Sequence, residues 1–334
     1  MERNKTVDAL KGYAIILVVF GHAIQHILGP NTAYDNTVFR FIYSFHMPLF
    51  MFLSGYIIFG KVPKLWSKWL WKSSRRLLIP FFIWFLIWSV NSQFDFIHFA
   101  FINGLSGVQA HFFKGLTDNI FDTPWFLMVL FMFYLILLMI KYLEKYTGYF
   151  IYIWIFLIIY IQPIHHLWII NLQWYYPFFF GGYLIAKNQN SLPIISAETK
   201  LLFCGLFILL YFLLPNWIGT PNGWVILPGQ WALNILIAFL GIAASYFLID
   251  FLCNKRISRL FSHLGLYTLD IYVLHAIFLG WCFGNFSTLF FRLDLGIYSI
   301  PIFMTLFALS LSYVTSWIIR RSPLLKFVLL GDKS

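Results

Sequence analysis

The chain has 334 residues, of which 61% are hydrophobic, 22% aromatic and only 10% charged. A water-soluble domain carries about 25% charged residues, so this composition cannot cover a soluble surface and excludes a cytosolic enzyme of ordinary build. The net charge of +11 would suit nucleic acid in a soluble protein, but here the basic residues sit in short segments between apolar runs, where membrane topology explains them and no nucleic-acid partner is expected.

Ten apolar runs, each near the length that crosses a hydrocarbon layer of roughly 30 Å, follow one another at about 7–28, 39–60, 77–93, 124–142, 148–163, 167–187, 201–217, 231–251, 263–284 and 297–319. The first is interrupted by Asp8, Lys11 and His22 and leads to no small-residue cleavage site. It reads as a retained helix and not as a secretory signal. With the N-terminus in the cytoplasm, twenty of the 23 Lys and Arg residues fall on inner segments, leaving Arg40, Lys114 and Arg292 outside. This asymmetry follows the positive-inside rule and predicts an even number of spans with both termini cytoplasmic. The expected fold is all-α: a polytopic transmembrane helix bundle of about ten spans, forming one membrane-embedded domain over 1–334 with no appended soluble domain, in the cell membrane.

Polar groups inside spans are costly and mark function. On the first helix, Lys11 and His22 are eleven residues apart, which leaves about 20° between them around the axis and about 16 Å along it. Asp8 lies within about 40° of the same direction. A polar stripe therefore runs from the cytoplasmic mouth toward the outer half of the bilayer. On the second span, which runs the opposite way, His46 lies about 10 Å from the outer end, the depth reached by His22. Pro48 follows and removes a backbone hydrogen bond, predicting a kink, and Ser54-Gly55 lies further along.

The segment after the second span carries Lys61, Lys64, Lys68, Lys72, Arg75 and Arg76, with Trp66, Trp69 and Trp71 between them. It reads either as an amphipathic stretch on anionic lipid or as a clamp for phosphates, which Arg and Lys bind by charge-assisted hydrogen bonds. The gap 94–123 is moderately apolar and is expected to be interfacial or re-entrant. The loop 215–230 is rich in turn formers and Trp, as at a membrane interface. On the ninth span, with its inner end at 263, Asp270 lies about 10 Å and His275 about 18 Å along the helix, near the level of the other two histidines. Three histidines from three separate spans lack the spacing of a metal site, and no metal is expected. Cys204, Cys253 and Cys282 are far apart and read as packing residues.

Several of these stretches resemble the acyltransferase-3 membrane family. Asp8-Ala-Leu-Lys-Gly-Tyr-Ala-Ile-Ile-Leu-Val-Val-Phe-Gly-His22 is similar to its opening helix. Phe45-His-Met-Pro-Leu-Phe-Met-Phe-Leu-Ser-Gly-Tyr56 resembles its second, and Arg75-Arg-Leu-Leu-Ile-Pro80 the start of its third. Trp125-Phe-Leu127 and Asp270-Ile-Tyr-Val-Leu-His275 resemble later landmarks, in family order. The nearest branch is the short fucose 4-O-acetylase-like sugar O-acetyltransferases. The resemblance implies an acyl-CoA donor, usually acetyl-CoA, and a carbohydrate hydroxyl as acceptor, on a cell-surface glycan or a lipid-linked sugar. The family usually has Arg eleven residues before the histidine. Lys11 keeps the charge there but loses the bidentate fork.

The combined expectation is an O-acetyltransferase. Lys11, Lys72, Arg75 and Arg76 hold the donor's phosphates, and His22 acts as general base or transient acyl carrier. His46 and His275 assist by orienting His22 or stabilising the oxyanion, and Asp8, Asp270, Ser54 and Trp125 support the site. The competing expectation is a transporter or flippase for lipid-linked sugars, which would also use intramembrane His and Asp but often shows internal repeats. None is evident here.

Overall fold

The computed structural model describes residues 4–29, 32–59, 66–103, 124–161, 167–191, 193, 195–214, 228–252, 256–292, 296 and 298–332. Among them the secondary structure is helical, without strands: α1 Lys5–Leu28, α2 Thr37–Tyr43, α3 His46–Phe59, α4 Trp66–Asn103, α5 Trp125–Thr147, α6 Phe150–Tyr160, α7 Leu167–Lys187, α8 Ala197–Leu213, α9 Pro228–Leu252, α10 Arg256–Leu264, α11 Thr268–Arg292, α12 Ser299–Ile319 and α13 Pro323–Leu330. Six stretches are long and apolar enough to cross a membrane: Lys5–Leu28, Thr37–Phe59, Trp125–Thr147, Gly229–Leu252, Thr268–Phe290 and Ser299–Ile319. Large apolar side chains such as Leu201, Phe212, Phe251 and Leu306 stand exposed on helix surfaces. That pattern is unfavourable in water and natural against lipid. The protein is an all-helical membrane protein.

Helix ends follow local chemistry. Asn4 caps α1, its side chain accepting from the amides of Thr6 and Val7, and Gly29 ends the helix at φ +84°. Asn36 caps α2 through the amide of Phe39. The kink expected at Pro48 is instead a break one turn earlier. The chain turns at Ser44 and Phe45, and α3 restarts at His46 with Pro48 in its first turn, where a proline's missing amide costs little. The Ser44 hydroxyl donates to the Phe41 carbonyl at 2.7 Å, satisfying a carbonyl at the break.

Two further boundaries differ from the sequence expectation. The third span, expected from 77, begins at Trp66, so the basic segment from 66 onward is continuous with it; Lys61, Lys64 and 104–123 lie outside the described residues. The ninth span, expected from 263, begins at Thr268, because Gly265, Leu266 and Tyr267 form a turn that separates the short amphipathic α10 from α11.

The chain divides into two compact units, Met1–Lys61 with Tyr175–Ser316, and Val62–Trp174 with Trp317–Ser334. In the first, α1 is among the most enclosed of the long helices, with 61% of its apolar window buried against 33% for Thr268–Phe290. It packs on α3, α9, α10 and α11. Glycine sets two of the approaches in this unit. A Cβ on Gly12 would lie 1.8 Å from the Phe261 carbonyl oxygen, and one on Gly265 would lie 1.9 Å from that of Asp8. Gly55 and Gly182 make the same reciprocal contact between α3 and α7, at 1.8 Å from the Phe179 oxygen and 2.0 Å from the Phe52 oxygen. Small residues let membrane helices meet backbone to backbone. In the second unit α4 packs on α5, with Trp69 and Tyr134 ring centroids 5.2 Å apart, and on α13, where the Trp84 indole donates to the Leu329 carbonyl at 3.0 Å.

Candidate active site

The first unit brings three histidines together. His22 on α1 and His275 on α11 have ring centroids 5.3 Å apart, with planes inclined 38°. His46 at the start of α3 lies 4.6 Å from the ring of Tyr43, which in turn stands edge-on to His22 at 6.4 Å. His46 and His275 are buried, whereas His22 is half-buried. Because α11 begins at Thr268, His275 is about 10 Å along it and not the 18 Å expected from the sequence.

The hydrogen bonds define how each imidazole is presented. The Nδ1 atoms of His46 and His275 meet the carbonyl oxygens of Ile42, at 2.8 Å, and Ile271, at 3.0 Å, each four residues earlier. A carbonyl only accepts, so Nδ1 carries the proton and Nε2 holds a lone pair. His22 is tied differently: its Nδ1 meets the side-chain oxygen of Gln25 at 3.2 Å, and the Tyr43 hydroxyl donates to that same oxygen at 3.4 Å. All three imidazoles thus present Nε2 as an acceptor. The Nε2 of His275 is buried with no hydrogen-bond partner among the described residues. An unpaired buried acceptor costs roughly 1–3 kcal/mol and is well suited to a hydroxyl brought by a substrate. In this tautomer neither His46 nor His275 can donate to an oxyanion, so of the two assisting roles expected from sequence, the neutral imidazoles can fill only those of an acceptor.

The remaining residues of this unit take defined places. Lys11 forms an ion pair with Asp8 at 3.0 Å, a quarter of its side chain remaining exposed. Ser54 donates to the Phe50 carbonyl of its own helix at 2.8 Å. Asp270 falls in the first turn of α11, where the helix dipole favours a negative charge, and not about 10 Å inside. Its buried carboxylate accepts from the Ser316 hydroxyl. Among the described residues no three His, Cys, Asp or Glu side chains are grouped as a metal would require, and Cys204 and Cys282 are free thiols. Cys253 lies outside the described residues.

In the second unit, Lys72 and Arg76 project exposed from α4, and Arg75 is half-buried with its guanidinium 5.9 Å from the ring centroid of Trp71. The Arg75 Nε is buried and has no hydrogen-bond partner among the described residues. A guanidinium nitrogen left so is a fitting donor for a phosphate oxygen. Gly331, at φ +64°, closes α13 directly over the Arg75 backbone, where a Cβ would lie 2.3 Å from its carbonyl oxygen. Trp125 opens α5, half-buried, with its ring 6.2 Å from Phe126.

Reasoning from ionisable groups alone passes over Gln25 and Tyr43. The available signal was an amide three residues beyond His22 on an otherwise apolar stretch, which puts both on neighbouring turns of one face.

A family model described as an acyltransferase domain matches residues 4–321. The chain is 30% identical over 302 residues to the nodulation protein NolL of Sinorhizobium fredii, covering 82% of this chain and 77% of that protein. It is 28% identical over 200 residues to the nodulation protein NolL of Mesorhizobium japonicum, covering 55% of this chain and 48% of that one. No solved structure matches.

Proposed function

This chain belongs to the acyltransferase-3 family, and from that premise we propose that it moves an acetyl group from acetyl-CoA to a hydroxyl of a cell-surface glycan or lipid-linked sugar. The observation that carries the reading is the facing pair of His22 and His275 within a membrane helix bundle, one imidazole half-buried and the other holding a buried acceptor nitrogen with no partner among the described residues.

His22 acts as the general base. As the sugar oxygen attacks the thioester carbonyl, its proton passes to Nε2 of His22 and the carbon–sulfur bond breaks. The proton then goes to the departing sulfur, leaving the O-acetyl sugar and CoA as a thiol. A neutral imidazole that offers its Nε2 lone pair suits such a two-way transfer. An acyl-imidazole on His22 is the alternative order of the same bonds. His275 accepts a hydrogen bond from a second hydroxyl of the acceptor, which positions the sugar and satisfies its own Nε2. His46 and Tyr43 wall the site.

Lys11 in the first unit and, separately, Lys72, Arg75 and Arg76 in the second are the cationic candidates for the donor's phosphates, the half-buried Arg75 foremost. Asp8 holds Lys11 until the donor arrives. The asymmetry of Lys and Arg along the sequence supports about ten crossings, with both termini in the cytoplasm and the bilayer that of the cell membrane. That topology gives acetyl-CoA and the glycan access from opposite sides.

The test is direct. Purified protein in lipid nanodiscs is given acetyl-CoA and fractionated surface glycans, and released CoA thiol is measured with the mass of the glycan. The expected result is thiol release that depends on glycan and adds 42 Da to the acceptor (about one acetyl for one hydrogen). Absence of release with every fraction overturns the reading.

A further inference from the structure

We infer that Gln25 is a positioning residue for His22, fixing its tautomer so that Nε2 is the nitrogen that meets the acceptor hydroxyl, with the Tyr43 hydroxyl locking the amide in place. The inference rests on the reading of His22 as the base and deepens it.

The argument starts from a difference among the three histidines. His46 has its Nδ1 tied to a main-chain carbonyl of the preceding helix α2, and His275 to one of its own helix. No side chain decides their tautomer. His22 has no such backbone tie, and its Nδ1 depends on one side chain, Gln25. The geometry of α1 makes this work: positions three apart lie on one face, so the amide reaches back over the ring. The amide oxygen accepts twice, from Nδ1–H at 3.2 Å and from the Tyr43 hydroxyl at 3.4 Å, which uses both of its lone pairs. With the oxygen so engaged the amide cannot turn its NH2 toward the ring without losing both bonds.

The choice of an amide follows from the surroundings. Catalytic histidines in water-accessible sites are commonly oriented by a carboxylate, which also stabilises the imidazolium. Inside a span a carboxylate is costly to keep ionised. A neutral amide supplies the same orientation without drawing the proton permanently onto the ring. His22 therefore stays a neutral base until the hydroxyl is in place, and gives the proton up readily to the departing sulfur.

The experiment reads the tautomer first, without substrate. The full chain is labelled with 15N-histidine in nanodiscs, and the His22 signals are identified by their loss in His22→Asn. In the unaltered chain, protonated Nδ1 and unprotonated Nε2 are expected. In Gln25→Leu, the ratio of the two tautomers should fall about fivefold or more, as loss of one hydrogen bond allows. Gln25→Glu, whose oxygen accepts the same bond, should restore it.

Activity is measured on the same samples. Gln25→Leu should lower kcat by about 10²-fold with the KM for acetyl-CoA little changed. Gln25→Glu should recover most of the lost turnover. Tyr43→Phe should show a smaller loss in kcat. An unchanged tautomer in Gln25→Leu overturns the inference, even where acetylation is present and lost in His22→Ala. A tautomer change in Gln25→Leu with no acetyl-CoA consumption by the unaltered chain upholds the orienting role and overturns the acetyltransferase reading instead.

Discussion

His22 and His275 face each other at 5.3 Å between ring centroids, on helices far apart in sequence, and they differ in access: His22 is half-buried while His275 is 3% exposed. The difference separates their expected roles. His22→Ala removes the proposed base and should lower acetyl transfer by about 10²–10⁴-fold, the usual worth of general base catalysis. Because the side chain is only half-buried, insertion and thermal stability should stay close to those of the parent. Radiolabelled acetyl transfer and a melting curve in detergent measure both.

Replacement of His275 should act on the acceptor. Its buried Nε2 has no partner among the described residues, so His275→Gln is expected to raise the KM for the glycan by about tenfold or more, the worth of one hydrogen bond to a substrate hydroxyl in a dry site. The KM for acetyl-CoA should move little. Initial rates with each substrate varied in turn make the comparison; an effect confined to acetyl-CoA would contradict the assignment.

Donor binding is expected to depend on Arg75 more than on its neighbours. Arg75→Ala should raise the apparent KM for acetyl-CoA by about tenfold or more, in line with a charge-assisted hydrogen bond. Arg75→Lys should recover only part, since lysine lacks the fork. Lys72→Ala and Arg76→Ala, at exposed positions, should show smaller and more salt-sensitive changes. Inhibition by desulfo-CoA analogues with and without the 3′-phosphate tests whether phosphate is the group recognised.

The ten-span topology is expected to appear in reporter fusions. A fluorescent protein joined after Ser334 should mature in the cytoplasm, and single cysteines placed near Asp35 should react with impermeant maleimide from outside. A C-terminal fusion that is active only when exported would reverse the assigned orientation.

Much of the site was legible because intramembrane polarity is rare and therefore informative. Asp8, Lys11 and His22 stood out on α1, and the opposed directions of the first two spans put His22 and His46 at one depth before any coordinates. The sequence could not say that α10 and α11 lie beside α1. The contact with α10 depends on Gly12 and Gly265, two glycines whose meaning appears only when the backbones are seen to touch. Boundaries were the weaker part. Placing the ninth span from 263 put Asp270 and His275 too far along, because the turn at 265–267 has no proline to announce it. Pro48 was read as the centre of a kink, while the break itself sits at Ser44 and Phe45. Gln25 and Tyr43 escaped notice because neither carries a charge.

The reciprocal contact of Gly12 and Gly265 has a last consequence. With less than 2 Å between each absent methyl and the opposing carbonyl oxygen, neither position can drift independently toward alanine. Gly12→Ala or Gly265→Ala should therefore destabilise the protein by about 1–3 kcal/mol, the usual toll of overpacking, and show as a lowered melting temperature. Sliding between α1 and the 261–265 segment at the end of α10 is equally barred, so the two segments behave as a single girder. Substrate entry must then be arranged by other parts of the chain, while α1, which carries His22, stays on a fixed mount.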